Sequence, residues 1–470
     1  MDLTDISPLT IKGEGLGYDL EPTLEEWEQL TRTAQQFIKE QLDDLDNRPA
    51  VDTVDTNVDL DEGSLNHYLH DLFSAGFNPA HPGFMAYIPG GGLVTSALAD
   101  WIIKSLNRYG TAYFAAPKLA QLELEVIRTF ARWLGFGDDA GGVLTTGGSV
   151  ANFTAVVTAR RAQLPEDFLK GVIYCSDQAH HSVMKAANLA GFSSRNFRIL
   201  PSDKNFRFRP ELLDNQVKED VQAGLLPFLL VASAGTTNTG SIDPLTELGK
   251  ACQKHSLWYH IDAAYGGAFV LTDRGKERMS GIELADSITL DPHKGMFLPY
   301  GTGSILVKDR QALIEAHEMR GDYMPELDRS KAHLDPFSLS LELSREHRGL
   351  KMWLPLLLHG EQAFSNALNE KLDLIELITK QLSNYSDIDI LNQPDLTTVA
   401  FRLKQGGDSL NRQLLDTMIA GGRVYLSGTI LDDAFALRVS ILSHRTHQRH
   451  IENFFSELDH ALIELRQSKE

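Results

Sequence analysis

Apolar and polar positions follow three different rules along this 470-residue chain. From Thr23 to Leu42 the rule is helical. TLEEWEQLTRTAQQFIKEQL puts Trp27, Leu30, Phe37 and Ile38 on one face, and Thr23 with Glu26 has capping-box spacing. NRPAVDTVDTNVD then reads as a linker. From about Phe84 helical stretches alternate with short apolar runs: GGVLTTG, GVIYCS, LPFLLVASAG, LWYHIDAA, SITLD and TGSILV. Runs without a polar face suit strands covered on both sides, hence a mostly parallel sheet in an α/β fold. Several of them lead straight into Gly, Ser, Thr, Asp or His, and ligands of open α/β sheets bind at strand carboxyl ends. After a long helical stretch, HRGLKMW to ITKQL, the rule changes again. TTVAFRLK, GRVYLSG and FALRVSIL predict alternating strands, and HQRHIENFFSELDHALIELRQ predicts a closing helix. These last segments form a small α+β domain. The expected division is 1–80 helical, 81–365 large domain and 366–470 small domain.

Composition narrows the partners. The formal charge is −20, from 44 Lys and Arg against 64 Asp and Glu. So acidic a surface repels phosphate backbones and anionic lipid, which argues against nucleic acid and membrane partners. Cys175 ends an apolar run, Cys252 follows an alanine, and both read as core thiols of a reducing compartment. The opening MDLTDISPLTIKGEG has neither a basic n-region nor an apolar h-region, so a cytoplasmic protein is expected.

The candidate chemistry lies where strands end. In VLTTGGSVAN, Gly147 and Gly148 follow a strand and Ser149 is placed to cap a helix. Glycine N–H groups and a helix N-terminus suit a phosphate, though an ordinary tight turn has the same composition. In HIDAAYGG, Asp262 ends an apolar strand with no basic residue nearby in sequence. It either meets a ligand cation, such as a protonated ring nitrogen, or caps a loop. In SDQAHHSV, His180 either stacks on a flat ligand or starts a helix. No metal-binding spacing accompanies it, and no metal is expected. His444, His447 and His450 drift around a helix and read as a solvated face. Thr236 and Thr237 follow another strand.

Lys294 discriminates among these alternatives. It follows the strand SITL within DPHKG. A lysine amine becomes a nucleophile toward an aldehyde when its surroundings favour the neutral amine. A phosphate cradle, an acid for a ring nitrogen, a stacking histidine and a reactive lysine together fit pyridoxal 5'-phosphate (PLP). The order glycine turn, Asp, then Lys about thirty residues on is present.

HPGFMAYIP, TTGGSVAN, SDQAHHSV, GTTNTGSID, HIDAAYGG, DPHKG, HRGLKMW and LRVSIL, in this order, resemble the group II PLP-dependent amino acid decarboxylases. That family includes aromatic-L-amino-acid and glutamate decarboxylases. The resemblance covers roughly residues 65–445. It implies a PLP-dependent transferase fold of type I, aspartate-aminotransferase-like, with a seven-stranded large-domain sheet. It also implies a homodimer with N-terminal helices packed across it and the active site at the interface. The implied activity is α-decarboxylation of an L-amino acid to an amine and CO₂ through a Lys294 Schiff base, a carboxy-lyase reaction. Transamination, carbon–carbon cleavage and PLP binding without turnover are the alternatives on this fold. By the same resemblance Asp262 pairs with the pyridinium nitrogen, His180 and Ala264 flank the ring, and Thr237 lies beside it. Gly147, Gly148, Ser149, Asp291 and His293 surround the phosphate. Tyr87, Pro89 and Gly90 approach the substrate, Tyr109 and Thr111 shape its pocket from the partner subunit, and Tyr323 is the proton donor. Asp291 stands where some members carry asparagine.

Overall fold

Runs of Val, Ile, Leu and Ala with no polar face become the buried strands of the larger sheet. The computed structural model describes residues 20–51, 64–317 and 334–467. The sheet contains β1 (Gly141–Thr145), β2 (Gly171–Ser176), β3 (Phe197–Leu200), β4 (Leu226–Ser233), β5 (Trp258–Asp262), β6 (Ser287–Leu290) and β7 (Gly303–Val307). Their order is β1-β7-β6-β5-β4-β2-β3. Only β7 runs against its neighbours. The sheet is therefore mostly parallel, as expected of an α/β fold of type I. β3 escaped the sequence pattern because it is an edge strand: Ile199 is 52% exposed, so no continuous apolar run marks it.

The second sheet is antiparallel throughout, in the order β10-β11-β9-β8. It comprises β8 (Ile388–Ile390), β9 (Thr398–Leu403), β10 (Ser427–Leu431) and β11 (Ala434–Ser440). The expected strand over GRVYLSG starts late, at Ser427. Ahead of it, Tyr425 N–H donates to Gly83 O and Met85 N–H donates to Tyr425 O. The apolar residues Val424 and Leu426 are buried there without joining the sheet.

One helix joins the two cores. It spans Gly349–Leu382 and is interrupted at Gly360, whose φ of 73° and ψ of 160° leave the helical region. Met352, Phe364, Leu368 and Leu372 enter the core of the larger sheet. Leu374, Ile375, Ile378 and Leu382 enter the core of the smaller one.

The first helix, Leu24–Asp43, carries the expected capping box between Thr23 and Glu26. Its apolar face is only partly covered: Phe37 is buried, while Trp27 and Ile38 are exposed. The histidine trio is not a solvated face. His450 is buried with Nε2 3.4 Å from Asp46 Oδ1, because the turn before the final helix folds back onto residues 46–48 and 81–91. Both cysteines are free and buried, and burial pushes the Cys175 thiol up to about 12. Among the described residues no helix is long and apolar enough to cross a membrane.

Candidate active site

The parallel strands β1, β2, β4, β5 and β6 all end on one side of the sheet, where their following loops close around a cavity of about 380 Å³. Lining it are Gly147, Gly148 and Ser149 after β1, and His180 after β2. Thr237 follows β4, Asp262 and Ala264 come from the end of β5, and Asp291, His293 and Lys294 follow β6. Ten residues singled out from sequence thus face one space, though they span nearly 150 positions.

Each is set by local structure. The helix Gly148–Gln163 starts directly from the β1 turn with Gly147 at its cap. Gly147 has φ 155° and ψ 175°, a region essentially restricted to glycine. Ser149 was expected to cap this helix. Instead it lies inside the first turn, because the glycine has already begun it. The first N–H groups of this helix are left for a ligand. A Cβ on Gly148 would meet Asp291 Oδ2 at 2.9 Å and Ala264 Cβ at 3.3 Å, so its missing side chain is what keeps the cavity floor open.

Asp262 closes β5 with both oxygens engaged. Oδ1 accepts from Ala264 N–H at 3.1 Å and Oδ2 from Asn152 Nδ2 at 2.9 Å. No cationic side chain among the described residues pairs with it, so its charge faces the cavity. Lys294 sits in a single helical turn, Pro292–Gly295, with Nζ 3.4 Å from Asp291 Oδ2. His293 Nδ1 donates to Thr302 O at 2.5 Å, which leaves Nε2 3.7 Å from the same Asp291 oxygen. Asp291 is buried, and its Oδ1 has no hydrogen-bond partner among the described residues. His180 caps the helix His181–Leu189 through its ring, and burial lowers its pKa. The two possibilities open for His180 are thus compatible: it starts a helix and also faces the cavity.

These features fit PLP. An open glycine cradle at a helix N-terminus suits its phosphate, and a primary amine suits its aldehyde. A carboxylate without a cationic partner suits its ring nitrogen. Ala264 and His180 both line the cavity, and a side chain as small as alanine leaves room for a flat ring. Among the described residues no cluster of three potential metal ligands exists.

None of the residues expected near the substrate lines this cavity within the protomer. Pro89 and Gly90 are buried, and Gly90 lies so close to His293 that a Cβ would meet its carbonyl at 1.8 Å. Gly90 lines a neighbouring groove of about 760 Å³, which shares Tyr300 with the cavity. Tyr87 is exposed, with φ 53°. Tyr109 and Thr111 hydroxyls both donate to Leu343 O, at 3.2 and 3.0 Å. Tyr323 lies outside the described residues.

Sequence reasoning missed Asn152 and Arg438. Asn152 is a helix-interior residue whose partners, Asp262, Ser182, His260 and Thr289, come from four distant segments. Arg438 is a buried guanidinium on β11 that reaches Asn238 O and Ser427 Oγ and, among the described residues, has no carboxylate partner. Its Nη2 is without a hydrogen bond, and burial lowers its pKa to about 10. Asn238 directly follows cavity-lining Thr237. Alternation within FALRVSIL gave no sign that this arginine points inward.

A profile of the pyridoxal-dependent decarboxylase conserved domain matches residues 56–404. An aromatic-L-amino-acid decarboxylase of Bacillus atrophaeus is 31% identical over 449 residues, 91% of this chain and 94% of that one. A phenylacetaldehyde synthase of Arabidopsis thaliana is 30% identical over 390 residues, 79% of each. Among solved structures, Oryza sativa TDC with PLP and tryptamine superposes with a TM-score of 0.90 at 22% identity. That match covers 95% of this chain and 100% of the other.

Proposed function

The chain belongs to the pyridoxal-dependent decarboxylase family and is a PLP-dependent amino acid decarboxylase, a carboxy-lyase, and we propose that Lys294 is its covalent anchor for the cofactor. The observation that carries this assignment is the meeting of Lys294, Asp262 and the Gly147–Ser149 turn in one cavity. When bound, PLP supplies a conjugated ring that accepts the electron pair released as the Cα–carboxylate bond breaks. The chain's own groups bind and orient. N–H groups of the Gly147–Ser149 turn and the Ser149 hydroxyl would hold the phosphate, with His293 beside it. Asp262 holds the proton on the ring nitrogen. His180 and Ala264 would flank the ring, and Thr237 would lie beside it. Asp291 acts on the phosphate through its neighbours, steadying Lys294 and His293, since a carboxylate cannot donate to an anion. Tyr323 delivers the proton to the carbon that has lost its carboxylate.

We assign an aromatic L-amino acid as substrate, on the strength of the relatives' names. Arg438, buried and without a carboxylate partner among the described residues, supports recognition of a substrate carboxylate beside Thr237. We further propose a homodimer. The helix Val94–Leu106 exposes Leu98, Trp101, Ile102 and Leu106 beside exposed Trp353, Leu357 and Leu358. The two helices pack together, and Thr95 Oγ1 meets His359 Nε2 at 3.1 Å, so the apolar residues form one face. Tyr109 and Thr111 would border that interface. Of the domains 1–80, 81–365 and 366–470, the last boundary falls inside the helix Gly349–Leu382, and we move it to the change of core between Leu372 and Leu374. The buried free thiols suit the cytoplasm.

Release of CO₂ from L-phenylalanine, L-tyrosine, L-tryptophan, L-glutamate and L-cysteine sulfinate tests the assignment. Aromatic turnover with amine as product is expected, and turnover of glutamate alone would overturn the substrate class. The Arabidopsis synthase favours a second reading, aldehyde formation, which analysis of the same reaction products separates.

A further inference from the structure

Asn152 is 1% exposed on the second turn of the helix Gly148–Gln163, and both ends of its amide are engaged. One end meets Asp262 Oδ2 at 2.9 Å and Ser182 Oγ at 2.9 Å. The other meets Thr289 Oγ1 at 2.8 Å and His260 Nε2 at 3.1 Å.

Elementary donor and acceptor chemistry orders every proton in this network. A carboxylate only accepts, so the amide NH₂ faces Asp262. The amide oxygen therefore faces Thr289 and His260, and both must donate to it. His260 then carries its proton on Nε2, leaving Nδ1 as an acceptor 2.9 Å from Ser287 Oγ. Ser287 receives the indole N–H of Trp258 at 2.8 Å and gives its own proton to His260. On the other branch, the second N–H of Asn152 goes to Ser182 Oγ. The Ser182 backbone N–H reaches His180 Nδ1 at 3.3 Å, which makes that nitrogen an acceptor, so the Ser182 hydroxyl, 2.7 Å away, also donates to it.

We propose that Asn152 is a positioning residue that aims the Asp262 carboxylate and, through Ser182, locks His180 as its Nε2–H tautomer. His180 thus offers an N–H to the cavity, and any ligand atom approaching that nitrogen must be an acceptor. Burial supports one-proton rings: it lowers the pKa of His260 to about 4 and that of His180 in the same direction. The tautomer is a property of the chain alone; only its catalytic meaning rests on the PLP assignment.

The test is nitrogen-15 NMR of histidine-labelled protein, with and without PLP. His180→Gln and His260→Gln variants identify the two rings. Both should be Nε2–H tautomers in the wild type. Ser182→Ala cuts only the branch to His180. It leaves the longer Ser182 N–H contact at 3.3 Å as the sole donor to that ring's Nδ1, so an Nδ1–H population should appear beside Nε2–H, kcat should fall about tenfold and the PLP Kd should stay within about twofold. Asn152→Leu should release His180 and also raise the PLP Kd about tenfold or more. A wild-type His180 that is Nδ1–H or mixed would overturn the proposal. So would a His180 that stays Nε2–H in Ser182→Ala, a variant that keeps Asn152 and its packing. A wild-type protein that binds no PLP would sink the cofactor assignment while leaving the NMR result readable.

Discussion

Lys294 Nζ lies 3.4 Å from Asp291 Oδ2, three residues back in the same turn. The buried carboxylate holds the amine at the cavity wall. It does so beside the helix start that suits a phosphate.

Lys294→Ala should abolish covalent capture of PLP. Borohydride reduction followed by mass spectrometry should show one cofactor per wild-type chain and none per variant chain. CO₂ release should fall by about 10³-fold or more, as for loss of an activated nucleophile with its acid–base role. A labelled peptide elsewhere in the chain would exclude Lys294 as the anchor.

Gly148→Ala inserts a methyl group 2.9 Å from Asp291 Oδ2 and 3.3 Å from Ala264 Cβ. Overpacking of this kind costs about 1–3 kcal/mol. Here the cost falls on the cavity floor, so PLP affinity should drop about tenfold or more. The apo-protein's melting temperature should change little. A titration with PLP, followed by its absorbance, reads the loss.

Tyr323→Phe should impair amine formation and favour an aldehyde side product. Chromatography of the products from one aromatic substrate decides it. Unchanged amine turnover would remove Tyr323 from the mechanism.

His444 is acid-sensitive. Burial lowers its pKa to about 3, and Arg445, Lys371, His447 and His359 add to that shift. A depressed folded-state pKa contributes stability that is present above the unfolded value, near 6.5, and is lost as pH falls toward the folded one. At pH 5 the loss is about 2 kcal/mol relative to pH 8. Asp243, raised to about 6 by burial, slopes the opposite way. The clean measurement is therefore a difference: urea unfolding of wild type and His444→Leu at both pH values. The variant should lose less stability on acidification, and equal losses would contradict the assignment.

Trp101→Asp with Leu98→Asp places two charges on the exposed apolar face of the helix Val94–Leu106. Light scattering should report a monomer where the wild type is a dimer, and decarboxylation should fall with it. A monomeric wild type would overturn the interface.

Polar residues at the strand ends were legible in the sequence because they follow unbroken apolar runs. Lys294, Asp262 and His180 all stand out on that contrast. β3 stayed hidden because an edge strand needs no apolar run, and β10 was misplaced because Tyr425 pairs with residues 83–85 ahead of the sheet. Asn152 was invisible for a different reason. Its helix shows only that the position is interior, while its four partners are 30 to 137 residues away. Pattern along a chain reports burial, and it does not report which distant polar groups will meet there. Ser149 illustrates the limit at short range: its type predicts a cap, but the glycine before it already supplies the backbone the helix start needs.

The helix that runs on from Gly360 to Leu382 is rooted in both cores, with Leu372 in one and Leu374 in the other. That continuity bears on how such a chain can be recombined. A chimera cut within this helix would join half a rod fitted to one core with half fitted to another. A cut in the turn at Ser383–Asp387 keeps the rod whole. The smaller sheet can then be exchanged with relatives only as far as its new residues accept the helix face already given to them.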